Sequence, residues 1–301
     1  MNKDVVLTEL QIDEIKKAAD KERRNFGIIE APIAGDLFML IEQEGIAICQ
    51  YPFPTSKKSH TDANITRFET GSDKMIFIGL NTAIYYDEQL FALAHELYHY
   101  ITKTGKAYET DMDEEDKRTE KMADRFAAEL LLPSETLNHM VMAQFKTSCL
   151  KKVTNLRLLR FIARLQSEWW LPYRALVLRL NEEKYITDEQ VDVLFKINDR
   201  DKDSIYGKIF YSIAPDCYTK LNTITRRTDV SNWVLETFIM NYEDGSLTED
   251  EFVKLLDLFG KKPDDFGFDL AVDDTDLDEL NELFDCLLYT SPSPRDRQKS
   301  R

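Results

Sequence analysis

Two histidines one helical turn apart, with a glutamate beside the first, constrain this chain more than any other feature. In the stretch Phe91-Ala-Leu-Ala-His95-Glu96-Leu-Tyr-His99-Tyr100, the apolar residues Leu90, Leu93, Ala94, Leu97 and Ile101 recur at helical spacing. One face of this helix is therefore expected to be buried. His95 and His99 lie four residues apart on one face, the separation that a single zinc ion can bridge with two imidazoles. Glu96 projects beside them, where a carboxylate can take the proton from a metal-bound water whose pKa the ion has lowered.

Short His-Glu-x-x-His matches also arise by chance on exposed helices, so a third ligand decides the reading. Downstream the chain reads Glu120-Lys-Met-Ala123-Asp124-Arg-Phe126-Ala127-Ala128-Glu129-Leu130-Leu131-Leu132-Pro133. Ala123, Phe126, Ala127, Leu130 and Leu131 form the apolar stripe of a second helix that Pro133 ends. Glu120 and Asp124 lie on or beside that stripe, one turn apart. A carboxylate carried into an interior needs a cation or donors, because an unpaired buried charge costs several kcal/mol or more. Glu120 is accordingly read as the third metal ligand, and Asp124 as a group that fixes a ligand histidine through its distal ring nitrogen. Three protein ligands leave a fourth position for water, the arrangement of a catalytic zinc site. In the bland alternative, Glu120 and Asp124 are a solvated helix edge.

The joint pattern, Ala94-His95-Glu96-Leu97-x-His99-Tyr100 followed by Glu120-x-x-Ala123-Asp124-x-Phe126-Ala127-Ala128-Glu129-Leu130-Leu131-x-Pro133, resembles the ImmA/IrrE family of zinc metallopeptidases over about residues 30–135. That resemblance implies a gluzincin-like endopeptidase that cleaves a helix-turn-helix transcriptional repressor. It carries the family's metal ligands onto His95, His99 and Glu120, and its catalytic glutamate onto Glu96. The chain departs from the family at Met122, where many members have a second acid, and at Tyr98, where glycine is common.

Composition bounds the rest. With 301 residues, 43% of them hydrophobic, the chain can bury a sizeable core. Cysteines 49, 149, 217 and 286 are widely spaced and form no C-x-x-C pair, so they read as free core thiols in a reducing compartment. Residues 1–9 contain no apolar signal region and no later run approaches membrane-spanning length, so a soluble, cytoplasmic protein with no membrane partner is expected. A net charge of −16 argues against nucleic acid as a direct partner and favours a basic one, such as a DNA-binding repressor.

In chain order, Thr8 to Gln11 resembles a capping box opening a helix to about Arg24, and a second helix over about 34–44 ends at Gly45. Strands are expected at 46–51, 65–69 and 75–80, the last two joined as a hairpin through Gly71 to Lys74. Residues 75–80 read either as an edge strand that pairs with an extended peptide or as an ordinary core strand; periodicity does not separate the two. The acidic run 111–116 reads as a solvated loop near a helix N-terminus. His60 and His139 are assigned no metal. Tyr98, Tyr100 and Tyr108 are candidates for steadying an oxyanion by proximity in sequence alone. Residues 146–179 hold eight Lys/Arg against one acid, Glu168, and suggest two short helices, 154–167 and 172–183. These have the outline of a helix-turn-helix, but Trp169 and Trp170 in the turn are too large and apolar for a solvated linker. Further helices open at Thr187 and Thr248, the second ending at Gly260, while 200–230 resists assignment. The Ser/Pro/Arg-rich end resembles translated sequencing-adaptor sequence and reads as non-native.

The expected fold is α+β: a minimal zincin-like catalytic domain followed by a mainly helical, helix-turn-helix-like region. Its expected organisation is a metallopeptidase domain with an N-terminal helix over 1–145, a helical domain over 146–228, an acidic helical region over 229–286 and the tail 287–301. The expected function is hydrolysis of a peptide bond in a regulatory protein, with one Zn2+ per chain. The rival is a regulatory binding protein with a structural metal site, contacting a repressor or DNA through the basic helices.

Overall fold

The computed structural model describes residues 6–54, 61–70, 73–104 and 113–269. His60, Tyr108, Cys286, the 71–72 turn, residues 111–112 and the tail lie outside them. The chain divides into two compact units, Met1–Glu236 and Thr237–Arg301.

The first unit is α+β. It opens with α1 (Glu9–Asn25), and Thr8 caps that helix by accepting from the Gln11 N–H while the Gln11 side chain accepts from the Thr8 N–H. Next comes α2 (Leu37–Gln43), which stops where Gly45 turns to φ +76°, a left-handed conformation that glycine adopts without cost. Strands β1 (Ile46–Tyr51), β2 (Ala63–Thr70) and β3 (Asp73–Asn81) follow, and β4 (Asp229–Val230) completes a four-stranded sheet ordered β2-β3-β1-β4.

Strand β3 runs parallel to β1, with Ile46 opposite Ile76, and antiparallel to β2, with Ile65 opposite Ile78. Residues 75–80 are thus a core strand and not an edge. The physical reason is their near-continuous apolar run, Met-Ile-Phe-Ile-Gly-Leu, which suits a strand with neighbours on both sides. β2 occupies the end of the sheet.

The helices after the sheet are α3 (Tyr86–Thr102), α4 (Glu114–Leu131), α5 (Ser134–Phe145), α6 (Asn155–Trp169), α7 (Tyr173–Glu182), α8 (Asp188–Phe195), α9 (Ile205–Ile213), α10 (Pro215–Leu221) and α11 (Asn232–Glu243), within which the division between the units falls. One continuous apolar core runs from Ile15 of α1 through α3, α4 and α6 to Leu221 of α10. Trp169 lies buried in it, and Trp170 ends α6 in the left-handed region with Lys220 over its ring, so the tryptophans pack as their size requires. Helix α7 buries Tyr173, Leu176, Val177, Arg179 and Leu180 and leaves Arg174, Leu178 and Glu182 exposed. Cys49 and Cys217 are half-buried free thiols, whereas Cys149 is exposed and no core residue.

The second unit holds α12 (Glu249–Asp257), capped by Thr248 with Glu251, and a small aromatic core in which Tyr242 stacks on Phe252 at 4.4 Å and Phe268 closes on both rings. No helix among the described residues is long and apolar enough to cross a membrane.

Candidate metal centre

Helix α3 is held at both ends. At its start, Asp87 and Glu88 sit in the first turn, where negative charge opposes the helix dipole, and Arg200 pairs with both at 2.9 and 2.8 Å. Asp87 is fully buried and also accepts from Gln166 of α6 at 2.9 Å; Gln166 in turn accepts from Tyr206 of α9 at 2.6 Å. Burial pushes the Asp87 carboxyl up to about 6, against the pull of Arg200. At the other end, Lys103 takes the left-handed conformation, and Arg67 of β2 donates to the His99 carbonyl at 2.6 Å and the Thr104 carbonyl at 3.1 Å. Leu90, Leu93, Ala94 and Leu97 are buried as their spacing requires, and α4 packs along the helix.

This packing brings His95, His99 and Glu120 together. The Nε2 atoms of the histidines are 3.2 Å apart, and carboxylate oxygens of Glu120 lie 3.0 Å from His95 Nε2 and 3.3 Å from His99 Nε2. A tetrahedral zinc ion with bonds of about 2.0–2.1 Å holds its ligand atoms roughly 3.3 Å from one another, and the two imidazole nitrogens, with Glu120 Oε2 against His95 and Oε1 against His99, lie at about that spacing.

Hydrogen-bond bookkeeping leads to the same point. The Thr102 hydroxyl donates to the Tyr98 carbonyl at 2.7 Å, which uses its only proton. Thr104, 2.7 Å away, must then donate to Thr102, and it has nothing left to give His99 Nδ1 at 3.0 Å. His99 Nδ1 is therefore the donor. Asp124 lies 2.9 Å from His95 Nδ1, and as a carboxylate it can only accept. With both Nδ1 atoms protonated, two Nε2 lone pairs and the Glu120 carboxylate converge on one place. Such a cluster of acceptors calls for a cation, either a proton or a metal ion. Accordingly, although burial opposes its charged form, His95 is pushed up to about 10 by Asp124 and Glu120. Burial likewise works against the Glu120 carboxylate, yet the two histidines bring it down to about 2. The donor set of two imidazoles and a carboxylate suits zinc.

Glu96 is buried on the same helix and feels both histidines and Glu120, while the Ile65 backbone N–H of β2 faces its carboxylate. Burial raises its pKa above the ordinary carboxylate range, the direction that favours a general base near neutral pH. Asp124 is at the rim, with 62% of its side chain exposed, so the argument from buried charge does not apply to it. Its contact with His95 is what places it. Glu120 is intermediate at 32%, and His99 is closed in at 4%.

Of the tyrosine candidates, Tyr98 and Tyr100 make their contacts elsewhere, and Tyr108 lies outside the described residues. Tyr98 packs in the core against Phe126, filling space that a glycine would leave, and the Tyr100 hydroxyl reaches the Glu44 carbonyl at 3.5 Å. Met122 faces Gln11 of α1. Asp113 caps α4, with Glu114, Glu115 and Asp116 in its first turn, so this described part of the acidic run serves the helix start. His139 is exposed on α5. Sequence reasoning missed Thr104 and Arg67. Thr104 follows a left-handed residue and so falls outside any helical spacing; Arg67 reaches the helix only through the strand hairpin.

Residues 41–181 match the model of the Peptidase_M78 family, described as the IrrE N-terminal-like domain. The matched span contains β1 to β3, both helices of the centre, and α5 and α6; it begins at 41, after the expected start near 30, and runs past 135 almost to the end of α7. No curated protein matches the chain. Residues 41–181, which carry the His-His-Glu cluster, thus form an IrrE N-terminal-like domain of the Peptidase_M78 family.

Proposed function

We propose that the protein is a zinc-dependent endopeptidase acting in the cytoplasm on a DNA-binding repressor. The observation that carries the reading is the convergence of His95 Nε2 and His99 Nε2, 3.2 Å apart, on the Glu120 carboxylate, whose Oε2 lies 3.0 Å from the first and Oε1 3.3 Å from the second. His95, His99 and Glu120 would hold the zinc. When bound, zinc supplies Lewis-acid polarisation of the scissile carbonyl and makes a water acidic enough to attack at neutral pH. Asp124 and Thr104 keep the two imidazoles in the tautomer that points a lone pair inward. Glu96 takes the proton of the attacking water and passes it to the leaving amine. Its burial suits that exchange, because it lifts the carboxyl toward the pH at which it must both accept and release a proton.

The repressor substrate rests on the family resemblance and on charge, since a chain of net −16 attracts a basic partner. The same net charge disfavours direct DNA binding. The test is incubation of the zinc-loaded chain, beside Glu96→Gln, with a helix-turn-helix repressor from the same genome, beginning with any encoded next to its own gene. Cleavage by the wild type and none by the variant, with zinc retained in both, supports the reading. An intact repressor, or equal cleavage by the variant, contradicts it.

A further inference from the structure

Residues 1–236 do not share the acidity of the rest: after residue 236 there are seventeen Asp/Glu against seven Lys/Arg, which accounts for most of the net −16. Within the first unit, a groove of about 570 Å³ lies between α5, α6 and α9 and is lined by Arg157, Arg160, Arg164 and Lys208 together with Phe161 and Ile213. The three arginines are spaced i, i+3 and i+7, so they form one row along roughly 10 Å of α6. All four cations are exposed, and among the described residues none of them forms an ion pair. Two are nevertheless fixed in place. Arg157 lies 5.5 Å over the Phe145 ring, and Arg164 lies 6.0 Å over Phe161 while donating to Gln144 at 2.5 Å. The groove also has an apolar side, since Ile213 is 41% exposed and Ile209 is half-buried beside it.

We infer that this groove is a docking site for an acidic, amphipathic peptide segment of a protein partner. Unpaired cations in a row select carboxylates, and their preorganised guanidiniums lose little freedom on binding. The isoleucines give an aliphatic side chain somewhere to go, which neither a free anion nor a phosphodiester backbone would use. Single-stranded nucleic acid is the less suitable occupant, because the Phe145 and Phe161 faces on which bases would stack already carry arginines. This site is separate from the metal centre and does not depend on the peptidase reading.

The experiment pans a random 16-residue phage-displayed peptide library on the full-length chain, in parallel with the double variant Arg160→Glu/Arg164→Glu and with Ile213→Ser. The leading peptide is then titrated by fluorescence anisotropy. Thermal unfolding and zinc content, unchanged in the variants, show that both are folded. The expected result is a consensus combining Asp/Glu with aliphatic residues on the wild type, binding about tenfold or more weaker to the double variant and several-fold weaker to Ile213→Ser, and weakening as salt is raised. Three results would overturn the proposal: no consensus that distinguishes wild type from the double variant, a consensus without acids, or a 16-nucleotide single-stranded or duplex DNA that binds more tightly than the peptide and depends on Arg160 and Arg164.

Discussion

Helix α4 carries two charged clusters that solve the same problem in opposite ways. On one side Glu120 and Asp124 meet His95 and His99. On the other, the buried Arg125 and Glu129 join an ion cluster with the buried Arg179 and the more accessible Glu182, Glu183 and Lys16. The second cluster balances, with three cations facing three carboxylates. Arg125 bonds Glu182 and Glu183, Arg179 bonds Glu129, the Ser134 N–H donates to Glu129, and the single Ser134 hydroxyl proton is within reach of both Glu129 and Glu183. The first does not balance. Glu96, Glu120 and Asp124 are three carboxylates around two imidazoles, and among the described residues no lysine or arginine pairs with any of them. The protein closes one cluster with its own arginines and leaves the neighbouring one short of positive charge, which a proton on His95 or a bound cation would supply. The balanced cluster also has a structural task, tying α1, α4 and α7 together, and it is not a perfect one: Nε of Arg125 and of Arg179 lacks an acceptor.

Four changes break or sharpen this contrast. The largest effect is expected from Glu96→Gln, which keeps the shape and the three ligands but removes the proton acceptor. Peptide-bond cleavage should fall by about 10²–10⁴-fold, the range for a lost general base, with zinc content and unfolding temperature unchanged. Next is Glu183→Ala, which leaves Arg125 and Arg179 short of a buried carboxylate. Stability measured by urea unfolding should drop by about 3–5 kcal/mol while zinc is retained, the reverse of the first variant. Third, Thr104→Val removes the acceptor of His99 Nδ1–H without touching the triangle. Competition with a chelator should show zinc affinity about 10–100-fold weaker, and Thr104→Ser should restore it.

The smallest effect concerns pH at the start of α3. The Asp87 carboxyl titrates at about 6 in the folded chain, against an ordinary value of 3.8. Between these two values the folded state holds a proton that the unfolded state has released, so stability falls as pH rises from 3.8 to 6 and is flat above. Asp87→Asn should remove that slope in urea titrations at a series of pH values. Glu183 acts in the opposite sense and in a lower window. Burial opposes its charged form, but Arg179 and Arg125 take it from 4.5 down to about 2, so its contribution is present above 4.5 and lost as pH falls toward 2.

Much of the fold can be read from local rules. The capping boxes at Thr8, Thr187 and Thr248 and the glycine stop at Gly45 occur where their residue types predict them, because each depends on contacts within four residues. The α3 and α4 stripes and the meeting of His95, His99 and Glu120 were legible for the same reason, joined to one long-range constraint: three ligands must converge. What the sequence hid was of two kinds. Helices α9 and α10 fall in the segment left unassigned, although Ser204 caps α9 and Ile205, Ile209 and Ile213 mark one face; the surrounding polar residues obscured a short pattern. The central place of β3, the Arg67 clamp and the Asp87–Arg200–Gln166 contacts depend on which distant segments pack together, and no local spacing encodes that.

The most direct test of the contrast between the two clusters is elemental analysis of zinc in the wild type, Glu120→Gln and Glu183→Gln, purified without added metal and then loaded. The account predicts one zinc per chain in the wild type, its loss or severe weakening in Glu120→Gln, and its retention in Glu183→Gln. A wild type that takes up no zinc, or a Glu120→Gln variant that holds it as tightly as the wild type, would contradict the claim that the unbalanced cluster is built around a metal ion.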